Sequence, residues 1–494
     1  MRTASELEAA YSREPVRLLA DDNKGTGVLS LSGRSTVVTL TTDNFINERD
    51  PDTGWFDLTL ETNNGSKILL HNALTSQSGM PYGERREWEF TIFPNIVLFN
   101  AESVLPGGRV REIQFTADGL EDIFYYEIAE WQSLYNATPD TLKQVRALRD
   151  VERLYPRNYA YFSPESVYIV HRLPRVLRER VGNATYEIFL GHSQSHGRKS
   201  LTISSVAIAT IRFANAVSID EALDAAWAWR RFFRQIAMRS LPFTTLSCRG
   251  KTKRGDRHSD IYLSNMETAI SRDRTEMFDF GPRDVPYGQW KHRKKFATVM
   301  RQWLERDGSR RLFRVRVDRV LERMRKESST KLVADLCSAI ESLSELRAPS
   351  TLSDADLTAI VDAAAKAGKE ATPAVPRDRL LGILSLLQHQ SLPRRLKMLA
   401  AAIESEVPRK DARTVIKIAR DMRTFEAHGD HWDEMTVPLV APVLDMLASM
   451  CVLWDLTTCG MPTLFEDRRL SASGWAHRSA QELRTRLLKK GEQA

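Results

Sequence analysis

The spacing of apolar residues changes along this 494-residue chain, from every second position to every third or fourth, and that change sets the fold class. Up to about residue 130 the apolar residues fall in short runs. These are 28–31, 37–40, 55–60 (WFDLTL), 67–70 (KILL), 88–93 (WEFTIF) and 110–115 (VREIQF). Several alternate apolar with polar, which places one set of side chains on each face of a strand. Asn64-Gly65 separates two of the runs and suits a tight hairpin turn, where both residues take φ > 0. Many short strands at this spacing predict an antiparallel sandwich or barrel over residues 1–130.

Residues 131–300 mix the two patterns. Tyr125, Ile128, Ala129 and Gln132 predict a short helix, and residues 184–190 and 201–213 predict strands rich in β-branched side chains. Residues 219–238 read as a helix with Leu223, Ala226, Trp227, Phe232, Phe233 and Ile236 near one face, and 241–246 as a returning strand. After about residue 290 helical spacing dominates, as in Phe313, Val317, Val320, Leu321 and Met324. Ser353 and Asp354 are N-cap candidates, while Pro393 and Asp411 open further helices. Residues 363–374, rich in Ala with Gly, Thr and Pro, predict a flexible joint. The expected chain is α+β and multidomain. A β-rich region spans 1–130, a mixed α/β region 131–300, and an all-α bundle 301–494.

With 42% hydrophobic and 27% charged residues, composition excludes collagen, a coiled-coil rod and wholesale disorder. Lys plus Arg number 71 against 64 for Asp plus Glu. The net charge of +7 permits a nucleic-acid partner without demonstrating one. Cys248, Cys337, Cys451 and Cys459 show no CxxC spacing, which argues against a zinc site and a disulfide framework. The first residues carry acids where a signal peptide needs an apolar core. Residues 435–454 are apolar, but Pro438, Pro442 and Asp445 favour a buried bundle helix over a membrane span. The expectation is a cytoplasmic protein with no membrane partner.

Several motifs fail on inspection. Gly25-Thr26-Gly27 lacks the third glycine of a dinucleotide fingerprint, since Ser30 stands there, and no cofactor is expected. Gly250-Lys251-Thr252 mimics the end of a phosphate loop, yet Thr245 replaces its earlier glycine. His192 and His196 have helical metal-ligand spacing but no Glu partner, and read as part of a Ser/Gly-rich turn. The basic clusters 249–258 and 291–295 read as solvated loops, able at most to follow an RNA backbone. Trp227 and Trp229 with Arg230 and Arg231 suggest a helix with a buried side and a basic side, with core packing the default. His431 with Asp430, Asp433 and Glu434 reads as an exposed loop.

The remaining candidate is Arg423 with His428, four residues intervening, in IARDMRTFEAHGD. Among ten histidines it is the one Arg-x(4–6)-His pair. An arginine supplies a planar, permanent cation for a phosphate whose charge grows during cleavage. A histidine takes or gives a proton near neutral pH. Attack by an RNA 2′-hydroxyl on the adjacent phosphorus requires no metal. Val415, Ile418, Met422 and Phe425 form the inward stripe of the helix, and Arg423 lies off it. Five residues at about 100° each separate Arg423 from His428 around a helix, so His428 is expected at its end, with Gly429 as the stop. An exposed helix-end histidine beside a solvated arginine has the same pattern.

This segment resembles the Arg-x(4–6)-His signature of HEPN domains, and most closely the ApeA-like group, where Gly follows the His. The N-terminal stretches GVLSLSGRSTVVTL, GSKILL and RVREIQF, with Trp131 beyond, resemble that group's accessory domain. Thr424 stands where many active members carry Asn, Asp or His. The resemblance implies a metal-independent endoribonuclease that leaves cyclic phosphate ends. Arg423 would contact the scissile phosphate and His428 would transfer protons. It further implies a homodimer through the face bearing the motif, and a role in bacterial antiphage defence released by a phage-derived trigger. A catalytically silent HEPN module that binds RNA or protein is the alternative.

Overall fold

The computed structural model describes residues 1–19, 24–43, 54–77, 88–104, 108–124, 131–135, 158–162, 166–171, 177–196, 201–250, 258–264, 293–324, 326–346, 353–369, 376–384, 391–428, 438–462, 464–465 and 468–493. The chain divides into two compact units. One comprises Met1–Arg230, Leu241–Arg283 and Tyr287–Arg301; the other comprises Arg231–Ser240, Asp284–Pro286 and Gln302–Ala494.

The first unit is built on one twelve-stranded antiparallel sheet. After helix α1 (Ala4–Ala10) come β1 (Glu14–Leu18), β2 (Gly25–Ser30), β3 (Val37–Thr42), β4 (Phe56–Thr62), β5 (Lys67–Gln77) and β6 (Trp88–Phe99). They pair in the order β6-β3-β2-β1-β4-β5, and β5 pairs back onto β6, closing a barrel. Alternation along each strand turns Val16, Leu29, Val38, Leu40, Leu60, Ile68, Leu70, Phe90 and Ile92 inward as the core. Gly27 belongs to this packing rather than to nucleotide binding. A Cβ there would lie 2.0 Å from the Thr39 carbonyl oxygen.

The sheet continues beyond β6 through β7 (Arg109–Ala117), β11 (Leu177–Val181), β12 (Ala184–His196), β13 (Leu201–Ser218), β14 (Phe243–Arg249) and β15 (Ser259–Leu263), in the order β15-β14-β7-β13-β12-β11. Strands from before and after residue 130 therefore share one sheet. Phe115 of β7 and Tyr186 of β12 meet the indole of Trp229 edge-on, at 5.8 and 5.1 Å between centroids. Trp229 lies on α3 (Ile219–Ala237), which the apolar spacing predicts.

Three expectations change. After the four-residue α2 (Leu120–Ile123), the one described residue of the helix predicted around Tyr125 is Gln132, which lies in β8 (Trp131–Tyr135). That strand joins β9 (Asn158–Phe162) and β10 (Ser166–His171) in a separate three-stranded sheet; residues 125–130 lie outside the described residues. His192 and His196 are in β12, opposite Ser205 and Leu201, not in a turn. A long partner strand carries polar residues into a ladder that their own propensity would not start. Residues 363–369 of the predicted joint are helical, with 370–374 outside the described residues.

The second unit is helical. Its described helices are α5 (Asp307–Arg323), α6 (Thr330–Glu341), α7 (Asp354–Lys369), α8 (Arg377–Leu384), α9 (Leu392–Ala402), α10 (Arg409–His428), α11 (Val440–Thr458) and α12 (Ser471–Gln493). They are preceded by α4 (Arg293–Glu305), and one two-residue hairpin (Leu464–Phe465 with Arg468–Arg469) interrupts the helices. Ser353 caps α7 with Asp356, accepting its amide proton at 3.1 Å and donating to its carboxylate at 2.7 Å.

Helix α11 is the axis of the bundle, packed against α5, α6, α9, α10 and α12. It is long and apolar enough to span a membrane, and most of it is buried among the other helices. Its buried Asp455 accepts from Arg310 Nη1 at 2.8 Å and from Arg314 Nε and Nη2 at 2.8 and 2.9 Å. Two guanidiniums also lie over indole rings, Arg310 on Trp454 and Arg314 on Trp303. Trp303 Nε1 donates a fourth hydrogen bond to Asp455 at 3.0 Å, and such a carboxylate persists in an apolar core because every lone pair is used.

Candidate active site

Helix α10 follows Pro408 and carries Asp411 in its first turn. The Asp411 carboxylate takes Arg484 of α12 and neutralises the positive end of the α10 dipole. Ala412, Val415, Ile416, Ala419 and Met422 are buried against α6, α9 and α11. The helix stays regular to His428, its last residue, ending where Gly429 is expected to stop it. The His428 side chain and residues 429–437, including His431 and its acidic neighbours, lie outside the described residues.

Arg423 occupies the flank of α10 facing α6. Its Nη2 donates to both carboxylate oxygens of Glu341, at 2.9 and 3.1 Å. The side chains are 38% and 34% exposed, so water, or an anion arriving from it, can compete for the guanidinium. Glu341 is the last residue of α6, where the helix dipole disfavours a carboxylate. Arg423 offsets that, and buried Arg395 of α9 donates to the Glu341 carbonyl. One turn back, burial pushes the Cys337 thiol up to about 12, with Arg423 lowering it and Glu341 raising it.

Thr424, at the position after the arginine, donates its hydroxyl to the Arg420 carbonyl at 3.0 Å. Thr330 at the start of α6 donates to Glu426, a second tie between α6 and the end of α10. Because the helix is regular through position 428, its backbone positions 423 and 428 lie about 140° apart around the axis, on different faces of α10. Glu341 is the partner that sequence reasoning misses. It lies 82 residues from Arg423 and no local pattern links them.

Elsewhere the sequence candidates take structural roles. Arg249 ends β14 and donates to Glu112 at 3.3 Å, while burial pushes the nearby His258 imidazole down. Gly250 is required by a close backbone approach, since a Cβ would lie 1.9 Å from the Ser103 carbonyl oxygen. Residues 251–257 and 291–292 lie outside the described residues. Arg230 and Arg231 are buried, contrary to an exposed basic side. The Arg230 guanidinium lies 4.3 Å from the Trp227 ring centroid and donates to the Leu241 carbonyl. All four cysteines are free and buried. Among the described residues no group of three His, Cys, Asp or Glu side chains is placed to hold a metal ion.

The family model described as ApeA N-terminal domain 1 matches residues 18–303, more than half of the chain. The chain belongs to the ApeA N-terminal domain 1 family. The matched region holds the barrel and its extended sheet, as the resemblance of GVLSLSGRSTVVTL, GSKILL and RVREIQF implies. Membership in the ApeA family points to antiphage defence. The match ends at residue 303, ahead of the helices that carry Arg423 and His428. No curated protein and no solved structure matches the chain.

Proposed function

We propose that this ApeA-family chain is a HEPN-type endoribonuclease that cuts RNA without a metal and acts in the cytoplasm in antiphage defence. The observation that carries the reading is the placement of Arg423. It is a part-exposed guanidinium one turn before the end of α10, in a helical unit attached to an ApeA N-terminal region. The segment around it resembles the HEPN signature. In the proposed reaction a base removes the 2′-hydroxyl proton and the 2′-oxygen attacks the adjacent phosphorus. The 5′-oxygen leaves with a proton from an acid, and a 2′,3′-cyclic phosphate remains. Arg423 stabilises the charge that builds on the non-bridging oxygens.

One chain offers one such histidine, whereas the reaction gains from both a base and an acid. A homodimer related by a two-fold axis would bring two copies of His428, and Arg423 from either chain, to one cleft. The N-terminal unit would hold the nuclease in check until a phage-derived signal releases it.

The deciding experiment incubates purified protein with single-stranded RNA and EDTA. Cleavage that survives chelation, yields cyclic phosphate ends and disappears in a soluble His428→Ala variant supports the reading. Wild-type cleavage rates in His428→Ala overturn it. The alternative is a silent HEPN module, favoured by the engagement of Arg423 with Glu341 and by the Thr424 hydroxyl turned onto the helix backbone. That reading expects RNA or protein binding with no cleavage under any trigger.

A further inference from the structure

The outer face of α10 carries Lys410, Arg413, Lys417 and Arg420, all exposed. At about 100° per residue these four fall within about 80° of the helix circumference, opposite buried Val415, Ala419 and Met422. Continuing the same face reaches Thr424 and the backbone position of His428. Arg420 pairs with its neighbour Asp421, and Arg409, at the rim of the stripe, pairs with Glu404. Arg413 and Lys417, in the middle, make no ion pair with any described residue.

This arrangement opposes helix stability. Lys410 with Arg413, Arg413 with Lys417 and Lys417 with Arg420 are like-charge neighbours at spacings of three and four, each of which weakens a helix. An exposed face selected for solubility alone would place acids between them, as the Glu482–Arg486 pair does on α12. A row of cations about 15 Å long from Lys410 to Arg420, with the position of His428 about 12 Å further along the same face, instead matches a polyanion lying along the helix. In a dimer across this face two such rows would repel each other unless a polyanion lay between them.

We propose that this stripe is an RNA track, in which Arg413 and Lys417 bind backbone phosphates of a single strand and lead it along α10 toward His428. The choice of RNA as the polyanion rests on the nuclease reading, but the stripe can be tested apart from it. The track reads phosphates and not bases, so binding is tolerant of sequence and falls steeply with salt.

The test uses the full-length His428→Ala chain, a short labelled oligouridylate and a salt titration of affinity. Arg413→Gln with Lys417→Gln should weaken binding at least about tenfold at low salt and make the log–log salt slope shallower by about 1.4, at roughly 0.7 per lost phosphate contact. Lys366→Gln, an exposed lysine on α7, should leave both unchanged, and equal thermal melts establish that the double variant is folded. Unchanged affinity and slope in the double variant overturn the track. So does failure of the His428→Ala chain to bind RNA. A double variant that keeps RNA but loses phosphatidylserine vesicles would reassign the stripe to a membrane surface. Wild-type cleavage combined with unaltered RNA binding sinks the track alone. Loss of binding in a protein whose wild type never cleaves retains the track and removes the nuclease.

Discussion

Arg423 meets Glu341 through a single nitrogen, Nη2, which donates to both carboxylate oxygens at 2.9 and 3.1 Å. This differs from the two-nitrogen fork that guanidinium and carboxylate form when an ion pair is built to last. A phosphate arriving at the end of α10 would compete with Glu341 for the same cation. Part-exposed pairs of this kind contribute about 0.2–1 kcal/mol, so freeing Arg423 has room for up to about a fivefold gain. Glu341→Gln in the His428→Ala background should therefore tighten RNA binding by about two- to fivefold. The melting temperature should barely move, because the carboxylate sits at an unfavourable helix end. Weaker RNA binding in Glu341→Gln would make Glu341 a residue that orients Arg423 instead of one that competes for it.

The buried centre of the bundle makes the opposite prediction. Burial pushes the Asp455 carboxyl up, but Arg314 and Arg310 overcome it and hold the group below the usual carboxylate range. Its stabilising contribution is present above the unfolded-state value and is lost as pH falls through the folded one. Asp455→Ala leaves two buried guanidiniums without their shared partner and should cost about 3–5 kcal/mol. Denaturant unfolding of the variant checks this. A loss below about 1 kcal/mol would mean that the rings of Trp303 and Trp454, with Asp307 paired to Arg314 and Glu345 to Arg310, suffice for the arginines.

Much of the fold is legible in the sequence because burial on one face imposes a period. The β2 to β7 runs, the long β12–β13 pair, α3 and the capped or proline-opened helices follow from that period. What escapes is set by partners distant in sequence. β1 (EPVRL) and β15 (SDIYL) alternate weakly and exist because neighbouring strands offer them a ladder. Arg230 and Arg231 suggest the basic side of a helix, yet both are buried, Arg230 against the Trp227 ring. At the candidate site, the spacing of Arg423 and His428 gives their helix and its end. The Glu341 contact depends on how α6 packs on α10, which no local pattern encodes.

His71 bridges two carboxylates on the outside of the barrel. One ring nitrogen, Nδ1, faces both Asp57 oxygens at 2.9 Å, and Nε2 faces Asp220 at 3.2 Å. Burial lowers the imidazole, but Asp57 and Asp220 outweigh it and raise it above its ordinary value. A raised folded value means that the clasp contributes fully below about pH 6.5, the ordinary histidine value, and is lost as pH rises through the folded one. Asp57 is held below its usual range by His71 against the push of burial, so acid also weakens the clasp. His71→Gln should lower stability by about 1–2 kcal/mol at pH 6 and by less at pH 8.5. Melts across that range check the sign. A penalty that grows toward alkaline pH would contradict the imidazolium assignment.

Gly27→Ala should destabilise the barrel by about 1–3 kcal/mol, since the added Cβ meets the Thr39 carbonyl and Leu40 inside a paired strand. The loss should appear in thermal unfolding of the first unit. An unchanged melting temperature would mean that β2 and β3 separate at little cost.

Subunit mixing tests whether catalysis is shared between chains. Wild-type and His428→Ala proteins are combined in equal amounts and allowed to exchange subunits before RNA is added. If each cleft needs the histidines of both chains as base and acid, active dimers are those with two intact copies. Random pairing makes these about a quarter of the total. Cleavage then falls to about a quarter of that of the same total of wild-type chains. If each chain cuts alone, half the activity remains. The backbone positions of Arg423 and His428 lie about 140° apart on a regular α10, so a cleft that pairs them would draw each from a different chain, and mixing then separates clefts that need one histidine from clefts that need two. A residual activity of one half would mean that one His428 per cleft suffices, with His431 the first residue to substitute in the search for a second proton-transfer group.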